Sequence, residues 1–151
     1  MKQSHSVLAV ASLLAASWVG TSQAQIKDNL VVKIPFNYVV GSSSMPSGEY
    51  RLKPHHVARG AFWIQSEDGK KAVLFQTFGA SNGGKQHNAE LIFNKYGNDY
   101  FLSQVWTGTD NVGRHLSQSA IEKEAASRLS ESHMANASEP VKVVVAFNRP
   151  R

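Results

Sequence analysis

The chain has 151 residues, no cysteine and a formal net charge of +5. That length suits one domain, and the missing cysteine excludes disulfides, thiol nucleophiles and cysteine-ligated zinc or iron–sulfur centres. The basic residues are scattered, with no run of five like charges and no recognisable nucleic-acid module, so nucleic acid is not an expected partner.

The N-terminus, MKQSHSVLAVASLLAASWVGTSQAQ, has three parts. Lys2 is a short positive start, Val7 to Val19 is uncharged and mostly apolar, and Ser22 and Ala24 place small residues before a cut at Gln25. That is the pattern of a secretory signal peptide over residues 1–24, with cleavage between Ala24 and Gln25. The apolar run falls short of the roughly 20 residues that span a bilayer. The expectation is export to the periplasm or the extracellular space. Residues 25–151 then form one domain, with no transmembrane segment in the mature chain. An exported domain without disulfides must draw its stability from an apolar core.

Leu30 to Val40 reads LVVKIPFNYVV, β-rich, with Val32, Ile34, Phe36 and Tyr38 on one parity. Pro35 cannot donate a ladder hydrogen bond and argues for a sheet edge or a bulge. GSSSMPSG follows; Pro46 and Gly48 predict a type I or II turn, with Gly48 free to take positive φ. The three serines read as part of a bend. EYRLKP resumes alternation through Tyr50 and Leu52. AFWIQS and KAVLFQTF flank Asp68-Gly69, a strong hairpin signal. AELIFNK and YFLSQVW make a second hairpin reversing at Gly97. The second arm is dense enough in large side chains to be a central strand buried on both faces.

The period changes at Ser119. Ser119 and Glu122 have capping-box spacing, and Ile121, Ala125 and Leu129 make a narrow apolar stripe. An amphipathic helix is predicted over about 120–130, with Glu124 and Arg128 as an i, i+4 pair. Pro140 opens a last run, VKVVVAF, alternating at Val141, Val143, Val145 and Phe147. The predicted fold is all-β and mainly antiparallel. It is a small sandwich or barrel of about seven strands, with one C-terminal amphipathic helix before the last strand. Phe36, Tyr50, Trp63, Phe75, Phe93, Leu102 and Trp106 are its expected core.

Chemistry-bearing patterns are sparse. His55 and His56 are adjacent, and His87, His115 and His133 stand alone, without H-x-x-x-H or H-E-x-x-H spacing. The serines lack a G-x-S-x-G elbow, and SNGGKQ lacks the Lys-Ser/Thr of a phosphate loop. Among the carboxylates of the β part, Glu67, Asp68 and Asp99 sit at turns; Glu49 and Glu90 lie in strands. No catalytic residue, cofactor or metal is expected. If the sheet closes into a barrel, Trp63, Trp106 and Tyr50 are the residues that could line a ligand cavity.

IPFNYVVG, PSGEY, LIFNKYGNDYFLSQVW and SQSAIEKEAA together resemble a family of small exported proteins frequent in acidobacterial genomes. The resemblance covers about Val32 to Ala126. Tyr38 stands where the family often has Phe, and Ser47 where it often has Ala. The resemblance implies export and a compact β-rich fold, and brings no catalytic residues. The expected function is that of a non-enzymatic envelope or secreted module, structural or protein-binding, with another envelope protein as partner. The alternative is a carrier of a small apolar molecule or lipid.

Overall fold

The computed structural model describes residues 30–81, 88–108, 112–132 and 139–148. The signal segment, the cut at Ala24/Gln25, His87 and His133 lie outside the described residues. The elements in chain order are β1 (Leu30–Ile34), β2 (Tyr38–Val40), β3 (Ser43–Met45), β4 (Gly48–Pro54), β5 (Ala61–Ser66) and β6 (Ala72–Gln76). They continue with β7 (Phe78–Ser81), β8 (Glu90–Tyr96), β9 (Asp99–Trp106), β10 (Val112–His115), α1 (Ala120–Ser132) and β11 (Val141–Ala146).

The fold is all-β with one helix before the last strand, as its patterning predicts. Two sheets face each other. The smaller has the order β1-β4-β5-β6, and the larger β11-β8-β9-β10-β7, with β2 joined to β9 and β3 to β2. All of these pairings are antiparallel except β2 with β9. The strands outnumber the apolar runs because tertiary pairing cuts the runs. The first run breaks at Pro35: β1 pairs in the smaller sheet and β2 in the larger. Another breaks at Thr77, whose backbone N–H and hydroxyl both donate to the Gly60 carbonyl while the chain changes sheet.

The larger sheet forks beyond β9. Its N-terminal half meets β2 at Val39–Phe101, and its C-terminal half meets β10 at Val105–Arg114. On one side the two sheets are linked by a bridge between Val31 and Asn148. On the other side, among the described residues, the fork and the edge of β6, paired with β5 alone, leave the sandwich open.

The shared core contains Val32, Ile34, Tyr38, Met45, Tyr50, Leu52, Ile64, Leu91, Phe93 and Leu102, drawn from both sheets. Phe93 receives the rings of Phe36 and Tyr38 edge-on, at centroid distances of 5.1 and 5.4 Å. Each such large side chain contributes about 1.5–3 kcal/mol on burial. Phe36 is only half-buried; its outer surface is covered by Tyr100, stacked at 4.0 Å. β9 is buried on both faces as expected: Leu102 belongs to the shared core, and Phe101 packs outward against Ala125 of α1.

Three side chains face otherwise than the sequence reading predicts. Trp63 is 39% exposed, because Phe62 and Ile64 take the inward parity of β5 and leave Trp63 outside. Ile121 is 42% exposed, while Glu122, Ala125, Ala126 and Leu129 face the sheet. The buried helix stripe is therefore rotated by one residue, with a carboxylate at its head. On β11, Val143 and Val145 pack on the core, but Val141, paired with Lys95 near the end of β8, is exposed.

Candidate functional site

The serine stretch is more structured than a bend. Val40–Ser43 closes a two-residue hairpin with Gly41 and Ser42 at its tip. Gly41 has φ of 61°, the left-handed conformation that tight hairpins require at this position. Gly48 does not adopt positive φ; it begins β4 opposite Ile34. The left-handed glycine is thus seven residues earlier than the sequence suggests. Ser43 and Ser44 belong to β3, which pairs with β2 alone among the described strands.

That hairpin borders the open side of the sandwich. A groove of about 410 Å³ lies there, lined by Val40, Gly41, Ser42 and Ser43 on one wall and Val73, Leu74, Phe75 and Gln76 on the other. Phe78, Leu116 and Ser117 complete it. No lining residue is charged. Lys71 spans one end, its Nζ donating to the Ser44 carbonyl at 3.4 Å. At the other end Phe78, 51% exposed, lies beside the His115 ring at 5.8 Å. Backbone geometry adds a second property. Ser66 N–H donates to the Lys71 carbonyl and Thr77 N–H to the Gly60 carbonyl. Antiparallel alternation then turns the N–H and C=O of Ala72, Leu74 and Gln76 away from β5, toward the groove.

A second cleft, about 420 Å³, runs between Pro46–Tyr50 and Ser66–Lys71. Two of its carboxylates, Glu67 and Asp68, are occupied in shaping the turn. Glu67 pairs with Arg51, and Asp68 accepts from Ser66 Oγ at 2.6 Å and Lys70 N at 3.1 Å. The Ser66 and Lys70 hydrogen bonds hold the Asp68 carboxyl below its usual range. Tyr50 donates its hydroxyl to the Pro46 carbonyl at 2.6 Å. Next to it the Tyr38 hydroxyl is buried without a hydrogen-bond partner among the described residues. Burial, reinforced by neighbouring Tyr50, pushes the Tyr38 phenol far up.

A buried polar cluster fixes the helix. Glu122, 4% exposed, accepts from Asn94 Nδ2 at 2.7 Å and from the Tyr96 hydroxyl at 3.3 Å. Lys142 of β11 donates to Asn94 Oδ1, and Gln118 to the Tyr96 hydroxyl. Only one half of the expected capping box forms, Glu122 N–H to Ser119 Oγ at 3.2 Å; the carboxylate turns to the sheet. Burial first, then the Glu122 charge, raises the Tyr96 phenol. Glu124 and Arg128 do not form an ion pair. Every member of the cluster is held by another, so it reads as a clamp between α1, β8 and β11.

The structure does not bring Tyr50, Trp63 and Trp106 together. Tyr50 points into the core, and Trp63 lies on the outer face of β5 between Lys53 and Leu74. Trp106 is buried over β10, where a Cβ on Gly113 would come within 2.1 Å of its ring. His55 sits in the β4–β5 loop, its Nδ1 accepting from Ala58 N–H. Among the described residues no three His, Asp or Glu side chains gather as metal ligands, and no helix is long and apolar enough to cross a membrane. The open groove escapes sequence reading because its walls are edges of two sheets; the absence of charge from Ala72 to Gln76 was the one visible trace.

No protein-family model, curated protein or solved structure shows a significant match to this chain.

Proposed function

We propose that this chain is an exported, non-enzymatic envelope or secreted module that binds another protein through the open side of its sandwich. The observation that carries this reading is the groove itself. Backbone groups of β6 that no other described strand pairs line it beside apolar and hydroxyl side chains, without a charge. An extended segment of a partner satisfies such an edge by strand addition, with main-chain hydrogen bonds for affinity and side-chain pockets for choice. The interior favours this over the carrier reading: Tyr38, Tyr50, Met45, Ile64, Leu91 and Phe93 meet between the sheets where a carrier would keep a cavity.

The test is site-specific photo-crosslinking in the native host. A photoreactive residue at Ser43 or Phe78 should capture a discrete protein. The same residue at Val57, on the exposed β4–β5 loop, or Lys123, on the outer face of α1, should not. Capture from Val57 or Lys123 alone would remove the groove from the reading.

A further inference from the structure

The five strands at the sheet edges are not equally available. Among the described residues, β1 is bridged to Asn148 and runs into Pro35, β3 and β7 have only three and four residues, and β11 carries Lys142 at its second position. Charge, proline and shortness are the devices that keep edges from pairing. β6 has none of them: AVLFQ, five residues, pairs with β5 alone among the described strands. Its outward side chain Leu74 is 45% exposed and sits directly across from Trp63, also exposed, on the same face.

We propose that the strand completing this edge is β6 of a second copy of the chain, paired antiparallel about a two-fold axis at Leu74. The proposal rests on the open edge being the binding site. Leu74 is one of the residues whose N–H and C=O face outward, so Leu74 of each copy exchanges both hydrogen bonds with Leu74 of the other. Ala72 then faces the second copy's Gln76, and Val73 its Phe75. Lys71 of one copy falls beside Thr77 of the other, at the far end from the other copy's Lys71, so no lysine meets a lysine across the strands. On the outer face the pair Trp63–Leu74 is doubled into one apolar row running across both copies. The contact is isologous and closes at two. By contrast, β6 against β11 would be head-to-tail, would not close at two, and would bring Lys142 to the seam.

Sedimentation velocity across a concentration series provides the test, using the chain processed by its own host. The wild type should show a monomer–dimer equilibrium. Leu74→Lys, which keeps its side chain on the solvent face and sets two ammonium groups on the axis, should weaken the dimer at least tenfold. Circular dichroism should show it still folded. In a chain that has no native cysteine, Leu74→Cys should give one disulfide-linked dimer under oxidation, and this variant decides the matter should Leu74→Lys not fold. A wild-type dimer indifferent to Leu74→Lys, with Leu74→Cys staying monomeric, overturns the proposal. A wild type that remains monomeric at hundreds of micromolar also overturns it. The underlying reading is separated by NMR with an unrelated synthetic strand peptide of alternating Thr and Val. A monomeric chain whose Ala72, Leu74 and Gln76 amides shift with that peptide loses self-pairing alone. One whose amides respond to neither peptide nor concentration loses both.

Discussion

Two buried polar side chains illustrate opposite solutions to the same cost. Tyr38 keeps its ring in the core against Tyr50 and Phe93, yet its hydroxyl has no partner among the described residues. An unsatisfied buried hydroxyl costs about 1–3 kcal/mol. Tyr38→Phe should therefore leave the melting temperature unchanged or raise it, as calorimetry would show; a fall would mean that the hydroxyl has a partner. Glu122 is buried with its acceptor used by Asn94 and Tyr96. Glu122→Ala strands both donors and should cost about 2–4 kcal/mol by urea unfolding. Glu122→Gln keeps an acceptor oxygen and should lose much less. Equal losses for the two variants would argue against the clamp. The spacing S-x-x-E was visible in the sequence, but not which partner Glu122 would choose, because Asn94 lies 28 residues away.

At the scale of elements, the β2–β3 hairpin and α1 each shift by a local choice that the fold makes. Gly41, not Gly48, holds positive φ. Gly41→Val should destabilise the chain by about 1–2 kcal/mol, the usual penalty of a side chain in the left-handed region. Gly48→Ala, with only an ordinary 3.7 Å contact to Tyr50, should stay within about 0.5 kcal/mol. Chemical denaturation of the two variants side by side checks the assignment, and the reversed order would restore the turn at Gly48. Replacing Ser42, Ser43 and Ser44 with alanine should spare the fold, because Gly41 shapes the tip. PSGEY was legible as turn chemistry, but the tight turn forms earlier, at Gly41 and Ser42. What could not be read was that the tail of the serine run would pair with β2. That pairing depends on where Pro35 sends the chain.

Across the whole molecule, three buried phenols make stability depend on alkaline pH. Burial raises Tyr38, Tyr50 and Tyr96 in the folded state, while in the unfolded chain they ionise near the ordinary value of about 10. Above that pH the unfolded state releases protons that the folded state retains, so folding stability should fall as pH rises. It is fully present below about pH 10 and is lost until the buried phenols ionise in place. Denaturant midpoints between pH 8 and 11 should show the decline, and Tyr38→Phe should make it shallower. A wild-type curve that is flat to pH 11 would contradict this burial. The joint between Trp106 and Gly113 is the other global constraint. Trp106→Ala should cost about 3–5 kcal/mol, as large-to-small changes of buried aromatics do. Gly113→Ala should also destabilise, because the indole occupies the space its methyl needs.

The sequence by itself determined the class of the fold, the hairpins at Asp68-Gly69 and Gly97, the single helix and the doubly buried strand β9. These follow from period, turn residues and local density of large side chains, all of which act within a few residues. Tertiary structure alone decided that Trp63 faces out while its neighbours face in. It also decided that Ile121 yields the buried stripe to Glu122, and that one side of the sandwich stays open. Parity offers two faces and a helix offers several stripes; only packing against distant strands selects among them. The edge of β6 is free for the same reason. Whether a strand finds a neighbour depends on the path of the whole chain, and here the fork beyond β9 carries the larger sheet to either side of it.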